Sequence, residues 1–380
     1  MKICARAPVR IDPAGGGTDA PPYSVEYGGC VVNFSVARYS YAQLQWLEPG
    51  AGPHVYSLDL NLGGSAPTLD ALKRGGKLGF VKGFAKRLLN GRDDFLLVTQ
   101  SDIPVRTGLG GSGAMGVAIT TACLKATGRE MSQADLAQLA NDIERQDLGL
   151  AGGNQDSFGA AIGGAKKIIL HQGGGTTCTR LNLPPGVAER LERDMLLIYT
   201  GGIHLSATIH EDIKRSYAMT NSPTIAALDR LKSAAERMAR ALEAGDVDGF
   251  VAALNESREN HYALHSSCDS DVLRNFFAGL DPFIVGGKTC GAGGGGFIAV
   301  VTKPGYKNAC AEAATALGGQ VWPFILDHRG AIAWDEADWT PAEVANFRTI
   351  AHEHHGPAPA PAAPPAPLRL TRRAPRSGRP

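Results

Sequence analysis

The segment Pro104-Val-Arg-Thr-Gly-Leu-Gly-Gly-Ser-Gly-Ala114 sets four glycines and one serine directly ahead of a helical pattern. Glycines let successive backbone N–H groups turn toward one anion, and the helix that follows adds the positive end of its dipole. Ser112, the only serine there, could reach a phosphate oxygen or its Mg²⁺. Taken alone, such a loop reads equally as a helix cap behind a flexible turn. It is not a Walker loop, because no Gly-Lys-Ser/Thr follows the glycines. Nor does a G-x-G-x-x-G run close a parallel βαβ unit here. Gly293 to Gly296 precedes a strand pattern rather than a helix, which argues against a nicotinamide site.

Two carboxylates follow. Glu144 ends one helical pattern, and Asp156 sits in Gly152-Gly-Asn-Gln-Asp156, where another opens. Phosphoryl transfer needs Mg²⁺ ligands, a cradle for phosphates and a group that orients the attacking hydroxyl. A Glu for metal and an Asp near the hydroxyl would supply two of these. Each taken alone is more often a solvated helix-end acid. Further upstream, Arg6-Ala-Pro-Val-Arg10 leads into Gly15-Gly-Gly-Thr-Asp19. A carboxylate in a glycine turn suits vicinal sugar hydroxyls, and Arg10 on a strand could pair with a carboxylate and keep it ionised. The plainer alternative is an exposed turn.

The elements that must position these groups follow from periodicity. A strand is expected over 4–11, a hairpin over 31–37 and 39–47, and a buried strand over 95–100. Ala114, Val117, Ala118 and Thr121 share one helix face. A second helix is expected over 133–147 and a third from about 154. Strands are expected over 166–170, 195–199, 282–287, 297–301 and 321–325. Ile225, Leu228, Leu231, Ala235, Met238 and Leu242 form an apolar helical stripe. Strands and helices mixed without strict alternation predict α+β layers, with a boundary near residue 200.

Composition narrows the partners. Of 380 residues, 43% are hydrophobic and 20% charged, with a net charge of +1. Five Arg fall in 356–380, so the remainder carries 33 basic against 37 acidic residues. A mildly acidic body argues against nucleic acid. Seven scattered Cys without a C-x-x-C read as reduced thiols, not a disulfide or zinc framework. No signal-like or membrane-spanning run appears, so the cytoplasm is expected. The Pro/Ala-rich stretch 356–380 reads as a disordered tail. His352-Glu-His-His355 lacks H-E-x-x-H spacing and reads as solvated linker. Cys290, His204 and His210 read as packing or surface residues, and Arg106 reads equally as a phosphate contact or a surface residue.

RAPVR…GGGTD, PVRTGLGGSGA and KTCGAGGGG, in this order with E…GGNQD between them, resemble the three motifs of the GHMP kinases. The resemblance spans roughly residues 4 to 302. It implies a two-domain α+β fold, with a ribosomal-protein-like N-terminal domain over 1–200 and a ferredoxin-like C-terminal domain over 201–345. It also implies ATP and Mg²⁺. Gly108, Leu109, Gly110, Gly111, Ser112, Gly113 and Ala114 would hold the nucleotide phosphates, and Ser112 and Glu144 the metal. Asp156 would be the catalytic carboxylate, beside Arg10. Gly17, Thr18 and Asp19, with Gly293 and Gly294 of the third loop, would meet the substrate. RAPVRIDPAGGGTDAPPYSVEYGGCVVN and ERQDLGLAGGNQDSFGAAIGG are similar to the heptose 7-phosphate kinases of that family. They imply phosphorylation of the anomeric hydroxyl for nucleotide-activated heptose synthesis. Other sugar kinases, of the fucokinase or galactokinase type, and a non-catalytic sugar or ATP sensor are the alternatives. The expected partner is a small sugar phosphate, with no nucleic acid and no membrane, on a monomer or homodimer.

Overall fold

A computed structural model describes residues 2–201, 206–217 and 223–335. The 356–380 tail, the His352–His355 run and His204 lie outside them, as does the side chain of His210. Within the described residues the strands are β1 (Lys2–Ala14), β2 (Gly29–Trp46), β3 (His54–Ser57), β4 (Leu62–Ser65), β5 (Phe95–Ser101) and β6 (Ala165–Leu170). They continue with β7 (Thr176–Arg180), β8 (Met195–Tyr199), β9 (Ile284–Thr289), β10 (Phe297–Thr302), β11 (Gln320–Pro323) and β12 (Ile332–Asp335).

β1 and β2 form the spine of the first sheet, whose order is β12-β1-β2-β5-β3-β4, with β6 branching from β2 and β7 pairing β6. The expected hairpin over 31–47 is instead one 18-residue strand. Nothing between Val36 and Tyr39 supplies a turn. Pro8 has no N–H to donate, and pairing skips from Pro8–Tyr39 to Val9–Val36, leaving Ala37 and Arg38 as a bulge. The Ala37 N–H donates to Ile325 O at 2.9 Å instead. Beyond this bend β2 changes neighbours, pairing β6 through 29–34 and β5 through 40–46.

Every one of the first eight residues of β2 is buried, so both faces of that half are covered. The helices Gly111–Ala126 and Pro223–Ala244 both pack against β1 and β2. Of the apolar stripe on the second helix, Leu228, Leu231, Ala235, Met238 and Leu242 are buried and Ile225 is half-buried. Gly111–Ala126 is buried almost all round, as a helix through the centre of a core must be.

The second sheet runs β11-β8-β10-β9, all antiparallel. Its period-2 alternation divides two cores. Leu196, Ile198, Ile298 and Val300 pack with Leu273, Phe276 and Leu280 of the helix Asp271–Leu280. Met195, Leu197, Phe297 and Ala299 join the main core instead. No described helix is long and apolar enough to cross a membrane.

Met238 is fully buried in the main core. Met238→Ala should cost about 2–5 kcal/mol, read as a lower urea midpoint at unchanged slope; a loss within error would mean that this helix does not carry the core.

Candidate active site

Arg10 lies on β1, 4% exposed. Its Nε and Nη2 donate to Asp156 Oδ1 at 2.8 and 2.5 Å, and Nη1 donates to Gly108 O at 2.6 Å. Its backbone N–H donates to Leu109 O at 3.0 Å. One residue therefore ties the glycine loop to the carboxylate 146 positions along the chain. Burial opposes the guanidinium charge, but Asp156 and Asp12 outweigh it and hold the pKa above its ordinary value.

The loop closes onto its helix through Gly110, whose φ of 70° is left-handed and favours glycine. No side chain caps the helix Gly111–Ala126, so its first N–H groups have no side-chain partner and suit an anion. Gly113 allows the close approach of the next element: a Cβ there would sit 2.5 Å from Asp156 Cβ. Ser112 is exposed at the helix start.

The helix expected over 133–147 is regular only through Gln133–Asp142 and then widens into a π turn, Ile143–Asp147. Such turns re-aim side chains, and this one carries Glu144, which is 2% exposed. Its Oε2 has no hydrogen-bond partner, and Arg145 Nη2 lies 3.7 Å away. Burial raises the Glu144 pKa, Arg145 and the Ser112 hydroxyl oppose this, and Asp156 adds to it. Arg145 also clasps the carbonyls of Leu150, Ala151 and Gly153 at 3.2, 2.6 and 3.1 Å. That clasp shapes the loop leading into Gln155–Ala161, the short helix carrying Asp156.

Asp19 is 2% exposed. Its Oδ2 accepts from the Gln155 backbone N–H at 3.0 Å, and its Oδ1 from that of Gly17 at 3.2 Å. Burial raises its pKa and the neighbouring Asp156 adds to the rise, against the Gln155 N–H.

A cavity of about 1010 Å³ is lined by Arg10, Gly17, Asp19, Gly108, Gly110, Gly111, Ser112, Glu144 and Asp156 together. The other expected contacts turn away from it. Leu109 and Ala114 are wholly buried apolar residues. Gly113 packs on Asp156. Thr18 points inward, its hydroxyl donating to Gly15 O at 2.8 Å. Gly293 and Gly294 are absent from the lining; Gly293 packs against Cys268 and His261, and the Gly294 N–H donates to Cys268 O. From the third loop, Gly291 and Ala292 line the cavity. Arg106 is exposed and also lines it.

Asp12 and its partner Lys288 stand outside the residues that the sequence patterns singled out. Asp12, 2% exposed, accepts from the Gly291 N–H at 2.9 Å and from Lys288 Nζ at 3.3 Å, with Arg10 Nη1 at 4.0 Å. Burial works against its charge, but Lys288, Arg10 and the Gly291 N–H together lower its pKa. Asp12 lies two positions past Arg10 on one strand, on the same face, which is the only signal the sequence carried. Cys290 is inert, since burial pushes its thiol up to about 12.

A glycine loop opening a central helix, with an arginine-held carboxylate beside it and α+β layers around it, is an arrangement that suits a small-molecule kinase. Residues 79–164 match the model of the GHMP kinases N terminal domain. The chain is 28% identical to D-glycero-alpha-D-manno-heptose 7-phosphate kinase of Campylobacter jejuni, covering 87% of this chain and 98% of that one. It is 25% identical to the bifunctional fucokinase/GDP-fucose pyrophosphorylase of Arabidopsis thaliana, over 79% of this chain and 30% of that longer protein. The crystal structure of a D-glycero-D-manno-heptose 1-phosphate kinase from Bacteroides thetaiotaomicron superposes with a TM-score of 0.74 at 28% identity, covering 88% and 99% of the two chains. By these likenesses the chain is similar to the GHMP kinases, and it is an ATP-dependent phosphotransferase with an alcohol group as acceptor.

Because folding raises the Glu144 pKa above its ordinary 4.5, its contribution to stability is full below that value and is lost as pH rises through the raised one. Glu144→Gln should therefore melt at a higher temperature than the wild type at pH 8, the gap closing toward pH 4. Melting curves across that range check this; a gap independent of pH would refute it.

Proposed function

We propose that the protein transfers the γ-phosphoryl group of MgATP to a sugar, at the anomeric hydroxyl of D-glycero-D-manno-heptose 7-phosphate. The product would be the 1,7-bisphosphate, a precursor for nucleotide-activated heptose. The carrying observation is that one guanidinium holds both Asp156 and the phosphate-loop carbonyl of Gly108. A carboxylate fixed beside a phosphate cradle is what a hydroxyl needs in order to attack phosphorus in line.

Asp156 accepts the hydrogen bond of the acceptor hydroxyl, orients it, and takes its proton as the new P–O bond forms. Arg10 holds Asp156 in place and balances charge beside it. The N–H groups of Gly110, Gly111 and the opening turn of the helix receive the phosphates. Asp19, with Gly17 holding its carboxylate, receives sugar hydroxyls. Glu144 Oε2, buried without a hydrogen-bond donor, and the exposed hydroxyl of Ser112 fit Mg²⁺, which takes one or two protein oxygens and completes its shell with phosphate and water. Among the described residues no three His, Cys, Asp or Glu gather into a richer metal site. Bound there, Mg²⁺ would neutralise charge developing on the transferred group. The heptose relatives at 28% identity support the acceptor.

ADP release should be followed with ATP and Mg²⁺ over D-glycero-D-manno-heptose 7-phosphate, fucose, galactose and mevalonate, with phosphorus NMR of any product. Turnover of the heptose phosphate alone, with a new anomeric phosphate, is expected. Turnover of another acceptor would replace the substrate, and ligand binding without turnover would favour a sensor. Asp156→Asn should lower kcat on the order of 10²–10⁴-fold. Asn keeps an acceptor for Arg10, so the fold should persist; near-normal turnover would remove Asp156 from the chemistry. Ser112→Ala should raise the Mg²⁺ concentration needed for half-maximal rate, and an unchanged requirement would take Ser112 out of the metal site.

A further inference from the structure

Lys166 is wholly buried on β6, a charged side chain for which the reaction above has no use. It pairs directly across the strands with Asn33 of β2. Its Nζ donates to Ser35 Oγ at 2.7 Å, Asn33 Oδ1 at 3.3 Å and Gly159 O at 3.4 Å. Asn33 Nδ2 donates onward to Gln155 Oε1 at 3.4 Å and Gln155 O at 3.5 Å. Gln155 Nε2 donates to Asp19 Oδ1 at 3.4 Å, beside the shorter backbone contact to Oδ2. Lys166, Asn33, Gln155 and Asp19 are all at least nine-tenths buried.

We propose that Lys166, Asn33 and Gln155 form a one-way donor relay that positions Asp19 for the acceptor, an inference that rests on the reading of Asp19 as an acceptor ligand. The direction follows from chemistry. An amide presents a donor or an acceptor depending on its flip, whereas an ammonium only donates. With Lys166 at one end, the oxygen of Asn33 must face it and the NH₂ must face Gln155. That forces the Gln155 oxygen toward Asn33 and its NH₂ toward Asp19. Without the lysine, the Asn33 amide can flip, and Gln155 loses the donor that holds its oxygen away from Asp19 and its NH₂ on it. Three acceptors around Nζ match the three N–H bonds of the charged form. Burial lowers the Lys166 pKa to about 7, with Arg180 of β7 adding and Cys178 and Asp327 opposing. The contact to Gly159 O also fastens the helix Gln155–Ala161. These are positioning residues, acting through Asp19 rather than touching the reacting atoms.

Asn33→Asp keeps the shape, satisfies Lys166 and cannot donate to Gln155. The full chain would be assayed with ATP and D-glycero-D-manno-heptose 7-phosphate, and Gln155 side-chain amide exchange followed by NMR without ligand. The KM for the sugar phosphate should rise on the order of tenfold with the KM for ATP unchanged, and the Gln155 NH₂ should lose its exchange protection. An unchanged sugar KM, or both KM values rising together, would overturn the relay. Should Asn33→Asp not fold, Gln155→Met at the cavity edge removes the same final donor; an unchanged sugar KM there is equally fatal. If Asp19→Asn leaves the sugar KM unchanged, the role of Asp19 fails. Exchange protection of Gln155 in Asn33→Asp then decides the relay by itself, retained protection refuting it.

Discussion

A buried guanidinium must be paired, and the pairing of Arg10 determines where the rest of the site can be. Leaving such a charge alone in the interior would cost several kcal/mol. Its donors go to Asp156 and Gly108 O, its charge is shared with Asp12, and its own N–H holds Leu109 O. Satisfying one cation thus places β1, the glycine loop and the helix of Asp156 against one another. Asp12 extends the network to Lys288 of β9, so the two sheets are joined by buried ion pairs of balanced charge.

The same junction explains the third glycine run. A Cβ on Gly108 would lie 2.5 Å from Cys290 O, and one on Gly291 would lie 2.7 Å from Gly108 O. The two loops meet backbone to backbone, a contact that side chains would prevent. The Phe297 N–H donates to Thr107 O across the same contact at 3.0 Å. The glycines of 291–296 brace the glycine loop of 108–113 from the second sheet; Gly291 also reaches the cavity, whereas Gly293 and Gly294 face Cys268 and His261.

What was legible in the sequence was local. Glycines ahead of Gly111–Ala126 mark a loop because only they tolerate its backbone, and the stripe through Met238 marks a core face because 3.6-residue spacing is a property of the helix itself. Long-range pairing was not legible. Whether 31–47 turns back or runs on depends on the partner strand, where Pro8 lies across from Tyr39, and nothing near Tyr39 says so. Asp12 reads as an ordinary polar residue until Lys288, 276 positions away, is placed beside it. The π turn that aims Glu144 likewise leaves no mark in a helical repeat. Of the family motifs, the residues that line the cavity alternate with glycines and small residues that only let the chain pack, and a motif does not distinguish the two.

Three carboxylates, Asp19, Glu144 and Asp156, line the cavity, and burial together with the charge of Asp156 raises the pKa of the first two. In the protein alone this arrangement is a cost: two of the three acids are harder to ionise than in water. The cost is confined by giving each a different partner: Arg10 for Asp156, backbone and amide N–H groups for Asp19, and little more than a distant Arg145 and a serine hydroxyl for Glu144. The least satisfied of them, Glu144, faces the hydroxyl of Ser112 on the opening turn of the helix Gly111–Ala126. On the proposed reading, a divalent cation arriving there would relieve repulsion that folding leaves in place, so what the folded chain gives up in stability would return as binding of the cation.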